Sequence, residues 1–190
     1  MTRLALIAAL LLALFASQGT AATQHHHEPH PLADQTAAWL TDVLGVEVPA
    51  QRVGVLDHHE YPLWQAASFP VYGSRVRYIL ARPRYYGEWS RGRASLDGAT
   101  LLMHELLHGV SLDEGAVEAV ALDLVPSWMA RFSPVRIRWA WHYSQDIGNS
   151  AYPQLVDDVR GRSAFETGKS WRSREARLWR RAYLLETGQR

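Results

Sequence analysis

Two histidines and a glutamate in the run His104-Glu105-Leu106-Leu107-His108 carry the clearest chemical signal in this chain. On an α-helix, residues four apart lie one above the other, so His104 and His108 can aim both imidazoles at one point. That point suits a divalent metal, and zinc is the ion expected with such a pair. Glu105 follows the first histidine and can reach a water on the metal, whose pKa zinc lowers toward neutrality; the carboxylate is the candidate general base. The flanking residues 101–103, 106 and 107 are apolar, so the helix is expected to be buried apart from these three side chains. The competing reading is a buried helix whose histidines only hydrogen-bond to backbone or carboxylates. Burying two histidines and an ionisable glutamate without a metal or partners is costly, which favours the metal.

Catalytic zinc takes three protein ligands and keeps one position open. If the first helix stops near Gly109 and a second starts near Ser111, the two form a tight antiparallel hairpin with a mirror line near residue 111. Glu114 then stands level with His108, and Glu118 level with His104. Glu114 is the expected third metal ligand, and Glu118 the expected hydrogen-bond acceptor behind a ligand histidine. Two alternatives stay open. Ser111-x-x-Glu114 also fits a capping box, which would leave Glu118 as the next ligand candidate and Asp123 after it. A hydrolase also needs a donor for the developing oxyanion. His142, Tyr143 and Tyr152 can supply one, although each also reads as a packing residue.

His104-Glu105-Leu106-Leu107-His108 followed by Asp113-Glu114-Gly115 resembles the gluzincin branch of the zincin-type zinc metallopeptidases. In that branch a glutamate, often followed by glycine, is the third ligand on the next helix. The resemblance covers residues 74–125 and implies peptide-bond hydrolysis, with Glu105 activating a zinc-bound water. It also implies a sheet whose edge strand docks an extended substrate above the motif helix, here the strand at 74–81. Only five residues separate His108 from Glu114. Many gluzincins have well over a dozen there. Five is the metzincin spacing, in which Ser111 would replace a glycine and Glu114 a third histidine.

The elements that must position these groups follow from periodicity. Ala37, Ala38, Leu40, Val43 and Leu44 recur at helical spacing, and Gly45 is a stop. Residues 52–56 and 61–64 are short strand candidates. Residues 74–81 form a stronger one, with Val76, Tyr78 and Leu80 alternating; Pro83 ends it or confines it to a sheet edge. Residues 85–98 hold three glycines and read as loop. Helices are expected over 99–108 and 111–125, the second broken by Pro126. Residues 127–190 read as mostly helical, ending in an amphipathic stretch at 173–186. The expected class is α+β: a small zincin-like fold with a short antiparallel or mixed sheet, the motif helix, a second ligand-bearing helix and a helical C-terminal half.

At 190 residues the chain suits one domain. Arg3, the apolar run from Leu4 to Phe15 and the small residues up to Ala22 read as a cleaved signal peptide over 1–22, so a secreted or periplasmic protein is expected. A His/Pro-rich flexible leader over 23–32 and a single catalytic domain over 33–190 complete the organisation. Twelve apolar residues fall short of the roughly 20 that span a bilayer, and no later segment comes closer, so no membrane span is expected after signal removal. The absence of cysteine means that a core, or a core plus a metal, must hold an exported domain together. Loss of Arg3 leaves 19 basic against 19 acidic residues. That balance argues against a nucleic-acid partner, despite the arginines between Arg172 and Arg190. The expected protein is a monomer acting on a peptide or protein. Its alternative is an exported zinc-binding protein without activity.

Overall fold

The computed structural model describes residues 30–49, 51–56, 65–70, 77–133 and 137–167. The signal peptide, most of the leader, the strand candidate at 61–64 and the amphipathic stretch at 173–186 lie outside them. Six α-helices and a three-stranded sheet make up the described residues, a mixed α/β arrangement that is mostly helical.

Helix α1 runs Pro31–Leu44. Its start lies inside the stretch read as a flexible leader, because proline at the first position costs no hydrogen bond and Leu32 and Ala33 are buried. Gly45 ends it with φ 66°, a left-handed conformation that glycine tolerates, and its N–H reaches Thr41 O at 2.9 Å. Three short strands follow: β1 (Arg52–Val55), β2 (Ala66–Pro70) and β3 (Arg77–Ala81). The order is β1-β3-β2, with β1 parallel and β2 antiparallel to β3.

β3 is therefore the central strand, which corrects its expected place at an edge. Pro83 lies beyond the last paired residue, Ala81, and so removes no ladder bond. The free edges belong to β1 and β2. The glycine-containing segment after β3 is also not all loop. Helix α2 spans Pro83–Trp89, starting at a proline and burying Tyr85 and Trp89 four residues apart. The Trp89 indole N–H donates to Gly98 O at 3.1 Å and fixes α2 against the next helix.

Helix α3 (Leu96–Leu107) begins three residues earlier than the apolar pattern indicates, because Ser95 caps it. The Ser95 hydroxyl accepts from Gly98 N–H at 3.2 Å and donates to Glu88 Oε2 at 2.8 Å. Helix α4 (Glu114–Phe132) is capped by Asp113, whose side chain accepts from Ala116 N–H at 3.0 Å. The Ser111 capping box thus does not form, and Glu114 is not used as a cap.

Pro126 does not break α4, contrary to expectation. A proline in a helix interior costs about 3 kcal/mol, but burying one large apolar side chain contributes about 1.5–3 kcal/mol. Trp128 and Met129, just past the proline, are both fully buried, and the Trp128 indole donates to Thr36 Oγ1 at 3.1 Å. α4 is buried nearly all round and packs against α3, α5 (Ile137–Gln145) and α6 (Pro153–Thr167). A 3-10 turn at Ile147–Asn149 joins the last two. Among the described residues no helix is long and apolar enough to cross a membrane.

Candidate metal centre

The last turn of α3 and the first of α4 face each other across the short connection 108–113. Glu114 Oε2 lies 3.1 Å from His104 Nε2 and 3.4 Å from His108 Nε2, and the two imidazole nitrogens are 3.0 Å apart. Glu118, one turn further along α4, meets the other nitrogen of the first ring, His104 Nδ1, at 2.7 Å. Glu114 thus stands with both histidines, slightly nearer His104, and Glu118 with His104 alone, whereas a mirror line at 111 sets Glu114 level with His108.

Hydrogen bonds behind the rings decide what their front faces offer. The Ser111 carbonyl can only accept, so the 3.1 Å contact to His108 Nδ1 places the ring proton there. A Glu118 carboxylate likewise takes the Nδ1 proton of His104. In the neutral rings both Nε2 atoms then carry lone pairs, and both face Glu114 Oε2. That oxygen is buried with no aligned hydrogen bond of its own. Glu118 is fixed from its other side too, since its Oε1 accepts from Ala151 N–H at 3.0 Å.

The donor set fits zinc. Two imidazole nitrogens and one carboxylate oxygen are zinc ligands, and bonds of about 2.0–2.2 Å in a tetrahedron imply ligand separations of roughly 3.3 Å. The three observed separations lie within a few tenths of that. His104, His108 and Glu114 form the one group among the described residues whose donor atoms converge in this way. Asp123 is elsewhere: it contacts the Arg160 guanidinium on α6 and takes no part in the group.

Electrostatics follow from this crowding. Burial alone would lower His104, but its close contact with Glu114, its hydrogen bond with Glu118 and the charges of Glu105 and Glu118 together outweigh burial and hold it up at about 10. An entering cation must displace that proton. Contact with His104 lowers Glu114. Burial pushes Glu118 up, but its hydrogen bond with His104, the charge of that ring and the hydrogen bonds from Ala151 and Ser150 together lower it.

A cleft of about 380 Å³ reaches this group at His104, while His108 and Glu114 are not among its lining residues. One wall is α3, from Asp97 through Thr100 and Leu101 to His104 and Glu105. Gln65 and Ala66 of the β2 edge, Tyr85, Tyr143 and the loop Asn149–Tyr152 form the rest, with Glu118 reaching in from α4. Glu105 is only 4% exposed overall, yet it lines this space beside His104. The Tyr152 ring stacks on His104, with centroids 6.0 Å apart and planes 16° from parallel. Burial raises the Tyr143 phenol well above its ordinary value, and burial with the charges of Glu114, Glu105 and Glu118 raises that of Tyr152. His142 is exposed and does not line the cleft.

His104, Glu105, Glu118, Tyr143 and Tyr152 thus come together around one cleft, His108 and Glu114 meet His104 beside it, and His142 stays apart. Sequence reasoning missed Asp97, Thr100 and the Ala151 amide. The spacing Asp97, Leu101, His104, His108 marks one helix face and could have indicated the first of these. The Ala151 amide left no local signal, because its contact spans 33 residues.

Comparisons with protein-family models, curated proteins and solved structures return no match.

Proposed function

We propose that this chain is an exported zinc-dependent hydrolase, a metallopeptidase of zincin type resembling the gluzincins. The observation that carries the reading is the convergence of His104 Nε2, His108 Nε2 and Glu114 Oε2 on one point, beside a cleft that His104 and Glu105 line. Bound there, zinc would supply a Lewis acid that polarises a carbonyl and acidifies water.

The remaining chemistry belongs to the chain. Glu118 and the Ser111 carbonyl hold the ligand rings in the tautomer that presents Nε2. Glu105 lines the cleft beside His104 and is placed to take a proton from the attacking water and return it to the leaving amine. Tyr152 keeps its phenol proton and lines the same cleft, so it can donate to a developing oxyanion, whereas the Tyr143 phenol donates to Asp97. Among the described residues β2 is an edge strand that starts at the cleft, so it can offer an extended peptide backbone a partner by strand addition.

Metal analysis of the purified full chain, beside turnover of a quenched-fluorescent peptide library, tests this. One zinc per chain and measurable cleavage are expected. Glu105→Gln should keep the zinc and lose about 100-fold or more in kcat. A chain without zinc rejects the reading. Zinc in full with no cleavage leaves an exported zinc-binding protein.

A further inference from the structure

The far end of the cleft, away from the histidines, carries one more carboxylate. Asp97 is exposed and lines the cleft seven residues before His104 on α3, two helical turns or roughly 10 Å along the axis. It shares a hydrogen bond with the Tyr143 hydroxyl, which also contacts Thr100. Among the described residues no lysine or arginine lines the cleft, and the charged side chains there are Asp97, His104, Glu105 and Glu118. Arg84 stacks over the Tyr85 ring at 5.3 Å and is not among the lining residues.

The other three charges already have tasks. Glu118 is held by His104 and the Ala151 amide. Glu105 and His104 belong to the chemistry proposed above. A divalent cation with Glu114 and Glu118 would be balanced in charge, which leaves Glu105 at the reacting centre and Asp97 at the far end as the negative groups lining the cleft. A carboxylate accepting one phenol hydrogen bond retains lone pairs for another donor.

Resting on the peptidase reading, we propose that Asp97 determines specificity by receiving a cationic group of the substrate about 10 Å from the carbonyl that is cleaved. In an extended peptide that distance is about three residues. The cation is an ammonium or guanidinium, carried by a Lys or Arg side chain or by a free amino terminus. The bland alternative is that Asp97, in the first turn of α3, only favours the helix dipole. The two make different predictions.

Binding of fluorescent octapeptides to the zinc-loaded full chain separates them. A single Lys is moved along an alanine background, each peptide is compared with its norleucine counterpart, and free and acetylated amino termini are both used. Glu105→Gln serves as the parent so that no peptide is consumed. One register should bind roughly tenfold tighter with the cation than without it, as for a charge-assisted hydrogen bond. Asp97→Asn should abolish the preference while leaving norleucine peptides unaffected, and Asp97→Glu should restore it. The acetylated set tells whether the cation is a side chain or the terminus. Equal binding of Lys and norleucine peptides in every register together with equal binding of free and acetylated termini, a preference that survives Asp97→Asn, or no binding at all overturns the proposal. A dipole role alone would lower the melting temperature of Asp97→Asn and shift both peptide sets equally. Failure of the peptidase reading is recognised elsewhere, by wild-type chain that holds no zinc or cleaves nothing.

Discussion

Glu114 and Glu118 are one turn apart on α4, yet they stand in unlike surroundings. Glu114 faces two Nε2 atoms with one oxygen, whereas Glu118 holds the back of one ring and a loop amide. Their substitutions should therefore differ in degree. Glu114→Ala removes a donor and is expected to abolish stoichiometric zinc. Glu118→Gln keeps the shape and loses the charge, and it should weaken zinc about 10–100-fold, the usual effect of removing such a support. Competition with a chromophoric chelator measures both. If Glu118→Gln proves the more damaging, the two roles are exchanged. Which glutamate does which was half legible in the sequence. The mirror line at 111 pairs Glu118 with His104 but Glu114 with His108 alone, where the structure has it against both rings, and a capping box at Ser111 competes in sequence although Asp113 holds Ala116 N–H.

α4 and α6 approach closely at Gly115. A Cβ there would sit 2.9 Å from Leu155 Cβ and 3.0 Å from Leu155 O, so part of the obstacle is backbone that cannot rotate away. Gly115→Ala is expected to cost about 1–3 kcal/mol, read as a lower urea midpoint at unchanged m-value. Ser95→Ala, which removes the cap of α3, should cost about 1 kcal/mol in the same assay. The glycine after Glu114 thus has a packing reason as well as its place in a motif. Elements with strong local patterns were legible, α1 and α3 above all. β3 was found as a strand but misplaced, because strand order depends on partners that alternation does not encode. α2 was hidden by Gly87 and Gly92. The end of α4 was hidden by Pro126, since the packing of Trp128 and Met129 that carries the helix past the proline is tertiary.

At the scale of the whole molecule, a core and a metal would share the work of stability in a chain without cysteine. Zinc that binds the folded state alone adds about 2.7 kcal/mol at a free concentration 100 times its Kd. Calorimetry should therefore show a higher melting temperature with zinc and a lower one after chelation. His30 adds a separate pH dependence. It is 5% exposed at the start of α1, and burial lowers its pKa below 6.5, against the opposing charge of Asp34. The unfolded chain then takes up this proton first as pH falls. The stability it contributes is intact above pH 6.5 and is lost as pH drops through the lower folded value. Urea midpoints at pH 7.5, 6 and 5 should fall less steeply for His30→Phe than for the parent.

The link from His104 through Glu118 to the Ala151 amide joins an element near the metal to the loop that carries Tyr152. That amide can exchange its hydrogen with solvent only when Glu118 lets go. Anything that fixes Glu118 slows this exchange, and anything that frees it speeds it. Deuterium uptake at Ala151 therefore serves as a gauge of occupancy at a centre it does not touch, and one readable without any substrate.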